Sequence, residues 1–206
     1  MKINPADLSE RDAHRLSSIA IAPRPIAFVS TVGEDGVLNL APFSAFAPIC
    51  MKPMLAGFSV MPRRSGQKKD TLANIEYSKD FVINVVDEAL AEAMNQTAAD
   101  YPSSVDEFKE INLTPIKSDI VRAPRVAESP LHLECKLLQI LKLGEAPYGS
   151  HFIIGEVVLV HVKDDLYVNG EIELSNLKAI GRMGKDFYCK TTDLFEMLRV
   201  ETGKVG

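Results

Sequence analysis

The chain has no CxxC pair. Its three cysteines, Cys50, Cys135 and Cys189, lie far apart, which excludes a disulfide framework and predicts reduced thiols in a cytoplasm. No apolar run approaches the roughly 18 residues a membrane span needs. The start, MKINPADLSERD, lacks an apolar stretch and does not read as a signal peptide. Positive charge is not in excess: 23 Lys+Arg stand against 28 Asp+Glu, and a net charge of −5 argues against general nucleic-acid binding. There is no GxGxxG, so a Rossmann dinucleotide site has no support, and no GxxxxGK[ST], so neither has a Walker loop. Internal repeats, low-complexity tracts and linkers are absent.

What is present fits one domain over residues 1–206, large enough to bury about 70% of the surface its unfolded chain exposes. Ser9, Asp12 and the apolar side of Ala13, Leu16 and Ile19 predict a helix over 9–19, which Pro23 and Pro25 stop. The signal then turns to strand. Ile26–Val32 and Val37–Leu40 flank the turn Glu34-Asp35-Gly36 and read as a hairpin. Pro53–Val60 and Phe81–Val86 read as strands, with a short helix over Thr71–Tyr77 between them. Ala89–Asn95 reads as helix, 97–129 as a mostly irregular excursion, and Phe187–Lys190 as a further strand. Leu131–Leu143 and His151–Val162 form a long hairpin around 144-GEAPYGS-150. Strands following strands, with few short helices, predict a mainly β fold: an antiparallel barrel with peripheral helices.

The stretch 61-MPRRSGQKKDTLANI-75 is out of character for an acidic chain. Arg63, Arg64, Lys68 and Lys69 fall just before the predicted helix, which Asp70 is placed to cap. Free amides at a helix start, the helix dipole, Lys69 and the Thr71 hydroxyl together have the chemistry of phosphate capture. A solvated basic loop is the competing reading. His151 opens an apolar strand, either as a surface residue or as one facing a ligand. His161, inside the strand, reads as structural; His14 and His132 have no metal partners at useful spacing, and no metal site is expected. Glu156, in an apolar strand, reads as a buried or interface carboxylate.

Six segments occur in one order: 23-PRPIAFVSTVGEDGVLNLAPFSAFAPI-49, 69-KDTLANI-75, 81-FVINVV-86, 133-LECKL-137, 151-HFIIGEVV-158 and 181-GRMGKDFY-188. Together, from about Leu16 onward, they resemble the flavin reductase-like family of FMN-binding split barrels, and its flavoredoxin-type members most. The resemblance implies a six-stranded Greek-key split barrel, usually a homodimer, with FMN in a groove at or near the dimer interface. It implies that Ser30 and Thr31 lie near the cofactor and that Asn39, Ala41, Pro42, Phe43 and Ser44 run along the isoalloxazine ring. Ser59 and Val60 would lie beside it, Lys69, Asp70 and Thr71 would hold the phosphate, and Arg182 would contact the flavin. It further implies His151 beside a nicotinamide and an NADH- or NADPH-dependent flavin or ferric reductase with a small-molecule or redox-protein acceptor; a flavoredoxin-like electron carrier between redox partners and a cofactor-free interaction protein on the same barrel are the competing readings. The chain departs from the family's usual pattern in the extra cations of its basic loop. It departs again at Gly-Arg-Met-Gly, where Arg-Leu-Gly-Gly is more usual.

Overall fold

The computed structural model describes residues 1–63, 65–145 and 148–198. A 3-10 turn, Pro5–Asp7, leads into α1, Glu10–Ala20. Next come β1 (Ala27–Val32), β2 (Leu38–Phe43), β3 (Phe46–Cys50) and β4 (Leu55–Val60). Then follow α2 (Asp70–Ser78), β5 (Asp80–Asn84), α3 (Ala91–Gln96), α4 (Glu107–Glu110), β6 (Pro115–Ile116) and β7 (Arg125–Val126). The long β8 (Leu131–Leu143) and β9 (Ser150–Val162) precede β10 (Tyr167–Val168), β11 (Glu171–Ile172), α5 (Leu174–Leu177), β12 (Ile180–Gly184) and β13 (Phe187–Lys190).

Local chemistry explains most of these boundaries. Ser9 caps α1: its hydroxyl accepts from the Asp12 amide and donates to the Asp12 carboxylate at 2.6 Å. Gly36 takes the left-handed conformation, φ 82°, that the β1–β2 turn requires, and the Gly33 amide donates back to Val37 at 2.9 Å. The excursion over 97–129 is mostly irregular, as its composition predicts, and holds only α4 and the short β6–β7 ladder.

Seven strands form one sheet in the order β2-β1-β5-β8-β9-β4-β3, and every pairing in it is antiparallel. The two outermost strands, β2 and β3, are separated by just Ser44 and Ala45. Chain continuity therefore draws the sheet's edges together, and the sheet must curl. The Ser59 amide donates to the Ala45 carbonyl at 2.9 Å across this seam, and the Phe43 and Phe58 rings meet at 5.2 Å inside it. The expected six-stranded barrel becomes seven segments because β2 and β3 are one bent path broken at the seam. β3 was not legible in the sequence. Pro48 lies within it, which an edge strand tolerates because proline lacks a ladder donor.

The barrel interior holds Ala27, Val29, Phe43, Phe58, Phe81, Ile83 and Ile153, with Leu72 and Ile75 of α2 added. Burying each large apolar side chain contributes roughly 1.5–3 kcal/mol. A second core lies on the other side of β1 and β2, where Phe28 and Leu40 meet Leu90, Met94, Phe108 and Ile180. β1 is thus buried on both faces, which is why Ile26–Val32 is rich in β-branched and apolar residues. Glycine is required at 155, where a Cβ would stand 2.4 Å from Cζ of Phe81. Glu156 beside it is exposed, so the buried alternative expected for it does not hold within one chain.

Candidate functional site

A groove of ≈ 630 Å³ runs along the seam. Ala41, Pro42, Phe43 and Ser44 form one wall, and Ser59 and Lys69 contribute from β4 and the start of α2. Ser17 and Ser18 of α1 overhang it. Two structural facts shape this groove. The seam residues cannot continue both sheet edges at once, so the chain bends beside the groove. Pro42, on an edge strand, has no amide and a fixed φ, which orients its neighbours. Phe46 lines the groove and also packs on the barrel core.

Lys69 stands at one end. It occupies the N-cap position of α2, and no side chain caps the helix among the described residues. Asp70 is the first helical residue, which corrects its expected capping role. Its carboxylate turns outward to Arg63 and to the Ser103 hydroxyl, at 2.6 Å from the latter, and so ties the basic loop to the excursion. The first amides of α2 therefore keep their donors, and the helix dipole adds positive potential there.

The basic run itself is largely neutralised. Arg63 pairs with Asp70, Lys68 with Glu76, and Lys69 with Asp100 at 3.0 Å. Arg63 also donates to the Tyr101 carbonyl at 2.9 Å. Arg64, the remaining candidate cation, lies outside the described residues, as does Pro147 of the β8–β9 turn.

Four of the expected contact residues are buried and do not line the groove. Ser30 and Thr31 are fully buried. Ser30 donates to the Pro124 carbonyl and accepts from Asn84 at 3.1 Å, which pins the excursion to the barrel. The Asn39 amide donates to Thr31 at 3.2 Å and to Thr71 at 2.9 Å, and Asn74 donates to Thr31 at 3.0 Å. Ser30, Thr31, Asn39 and Thr71 thus engage core polar partners, the last three in a network under the start of α2. A buried polar group without such partners would be costly.

Val60 and His151 line a separate cavity of ≈ 180 Å³ together with Lys68 and Lys142. It shares Met61, Lys69 and Ser150 with the groove, so His151 lies one residue layer from it. Arg182 lines a third cavity, which shares Pro42 and Ser44 with the groove. Its guanidinium bonds the Tyr188 hydroxyl and the Lys185 carbonyl and stacks on the Tyr188 ring at 4.5 Å.

Several groups escaped the sequence reading. Arg24, held between Pro23 and Pro25, lines the groove and reaches Ser44 at 3.4 Å. Burial, and then the neighbouring Arg182 charge, lower its pKa. The Pro-Arg-Pro context was the available signal, since it fixes the backbone on both sides of the arginine. Glu107 is buried, accepts from the Leu40 amide at 3.1 Å, and has its pKa pushed up to about 7, first by burial. Glu134 is fully buried. Burial works against its charge, but amides of Asp119, Ile120 and Val121 and the His161 imidazole outweigh it and hold the pKa below the usual range. Asp119, Glu134 and His161 stand close enough to share a cation. Glu134, however, already spends its oxygens on three amides and an imidazole.

Residues 19–174 match the model of the flavin reductase like domain. The chain belongs to the flavin reductase-like family. An uncharacterized protein of Halalkalibacterium halodurans is 37% identical over 97% of this chain and 96% of its own. Among solved structures, nitrilotriacetate monooxygenase component B from Bacillus cereus superposes with a TM-score of 0.91 at 37% identity, over 96% of this chain and 98% of that one. The 2-nitrobenzoate 2-nitroreductase of Pseudomonas fluorescens superposes at 0.89 with 29% identity, over 98% of each chain. These matches support a flavin-related oxidoreductase. Among the described residues no helix is long and apolar enough to cross a membrane.

Proposed function

We propose that the protein is an FMN-binding oxidoreductase that takes electrons from NADH or NADPH and passes them to a small-molecule acceptor. The observation carrying this reading is the seam groove, which pairs an ordered backbone wall at Ala41–Ser44 with an uncapped helix start and Lys69 at its end. A groove with a backbone wall and a cationic end suits a flavin mononucleotide: the ring would lie along the wall and the phosphate would meet Lys69 and the first α2 amides. When bound, the flavin supplies the hydride-accepting and electron-passing chemistry.

The chain's own residues would position and insulate it. Backbone groups of Ala41, Phe43 and Ser44 hold the polar ring edge, with Ser59 beside them. Phe43 and Phe46 give apolar contact and exclude water. Thr31, Asn39 and Thr71 tie the start of α2 to the barrel and serve the fold more than the ligand. His151, across the shared layer of Met61, Lys69 and Ser150, is assigned a place beside the donor's nicotinamide. The redox names borne by the two structural neighbours favour this reading over a cofactor-free barrel.

We assign the protein to a homodimer as well. The outer half of β8 and the β3–β4 hairpin expose Leu138, Leu143, Ile49, Met51 and Met54, an apolar surface that a two-fold partner would cover. Light scattering should give twice the 22.6 kDa chain mass. The functional test releases the cofactor from purified protein by heat, identifies it by mass, and then follows flavin bleaching with NADH and with NADPH under anaerobic conditions. Protein that cannot be reconstituted with FMN, or bound flavin that neither donor bleaches, would overturn the reading.

A further inference from the structure

Basic residues scattered in the sequence converge beside the groove. A cavity of ≈ 490 Å³ is lined by Arg11, His14, Arg15, Arg24, Arg182 and Lys185. α1 delivers the first three, together with Ser18, at the spacing that places side chains on one helix face. Arg24 is pinned at the far end of α1 by the carbonyls of Ser18 and Ile21, the latter at 2.8 Å. A backbone bridge at 2.9 and 2.8 Å holds Arg24 against Arg182 of β12.

Among the described residues no carboxylate lines this cavity and none of the six basic groups makes an ion pair. The contrast with the 61–70 run is the decisive point. There, each described cation has met an acid. Here, in a chain of net charge −5, like charges are brought together and left uncompensated. Arg24 records the cost, its pKa lowered by burial and by Arg182. A cleft lined by one sign of charge concentrates field and attracts the opposite charge. The cavity also shares Pro42, Ser44 and Ser18 with the groove, so an anion held here adjoins whatever lies along the seam.

We propose that this cavity binds the phosphate groups of a dinucleotide co-reactant whose other end reaches the groove. Two guanidinium pairs from separate elements, Arg11 with Arg15 and Arg24 with Arg182, suit two linked phosphates better than a single point anion. The identity of the co-reactant rests on the redox reading above; the anion site does not.

The test is calorimetric titration of wild type and the Arg11→Ala/Arg15→Ala double variant with inorganic pyrophosphate, ADP-ribose, 2′,5′-ADP, citrate and adenosine. Both arginines are exposed on α1, so the variant should fold, which circular dichroism checks. Pyrophosphate and ADP-ribose should bind wild type, less tightly as salt rises, and the double variant should lose roughly tenfold to a hundredfold in affinity. Tighter binding of 2′,5′-ADP than of ADP-ribose would identify a 2′-phosphate as the favoured source, and the reverse a pyrophosphate. Citrate binding as tightly as pyrophosphate, adenosine binding as tightly as ADP-ribose, or no loss in the variant would each overturn the proposal. Reduction of bound flavin by a phosphate-free dihydronicotinamide separates the two readings. If no nicotinamide donor reduces the protein but ADP-ribose still binds, the redox reading falls and the anion site stands. If NADH reduces the protein and its double variant equally and ADP-ribose binds neither, the anion site falls alone.

Discussion

The Lys69 ammonium lies 3.0 Å from the Asp100 carboxylate, on a side chain that lines both the seam groove and the His151 cavity. A phosphate at the start of α2 would compete with that carboxylate for the same cation. Lys69→Ala should therefore weaken FMN binding by roughly one to two orders of magnitude, the scale of a hydrogen bond to a charged group. Asp100→Asn should do the opposite and tighten FMN several-fold by removing the competing charge. Riboflavin, without the phosphate, should be indifferent to both. Fluorescence titration of both ligands at fixed salt decides it: if Asp100→Asn weakens FMN as Lys69→Ala does, the pair orders the loop instead of contending for the ligand.

Thr71 calls for a different expectation. Its buried hydroxyl accepts from Asn39 at 2.9 Å. Thr71→Ala should remove a core hydrogen bond and leave the Asn39 amide with one partner fewer, at a cost of about 1–3 kcal/mol in urea unfolding. FMN and riboflavin should lose affinity equally, if at all. A loss confined to FMN would show the hydroxyl reaching phosphate directly.

Much of the fold was legible because its signals are local. The β8–β9 hairpin follows from two long apolar runs around a glycine turn, and α1 from Ser9 and Asp12. The site was legible only in part, for a physical reason. A run such as Arg63–Lys69 announces its charge but not its counter-charges, and Asp70, Glu76 and Asp100 arrive from the helix and the excursion. Ser30 and Asn39 have residue types that suit a ligand contact and equally suit a buried network, and strand pairing alone decides between them. The cluster at Arg11, Arg24 and Arg182 is the reverse case. Its members are too far apart in sequence to be noticed, and the packing of α1 on β12 brings them together.

Gly155 marks a close approach that the barrel depends on. A Cβ there would overlap the Phe81 ring, whose own position is set by an edge-to-face contact with Phe58 at 5.5 Å. Gly155→Ala should destabilise by roughly 1–3 kcal/mol, as overpacking does. Adding Phe81→Leu should recover part of that loss if the clash is the cause. Strictly additive costs in a double-mutant cycle would mean that the two sites do not touch.

Two buried titratable groups should pull stability in opposite directions over one pH window. His132 is buried, donates from Nε2 to the Val126 carbonyl at 2.8 Å, and leaves Nδ1 without a hydrogen-bond partner among the described residues. Burial, followed by nearby positive charge, lowers its pKa from 6.5 to about 4. Between those values the unfolded chain holds the extra proton, so this group's contribution is full above the unfolded pKa and is lost as pH falls. Glu107 is the mirror case: its pKa rises from 4.5 to about 7, so the folded chain holds the extra proton and the contribution is lost as pH rises. The two slopes oppose between about pH 5 and 6.5, where Glu134, with its lowered pKa, stays ionised. Their joint contribution to the wild-type slope there should be close to zero. Glu107→Gln, which can still accept from Leu40, should expose the histidine: stability should climb by up to about 1.4 kcal/mol per pH unit. His132→Gln should expose the carboxyl and give a slope of opposite sign. Urea unfolding across that window measures both. If the three proteins share one slope, neither group titrates as a buried, shifted one.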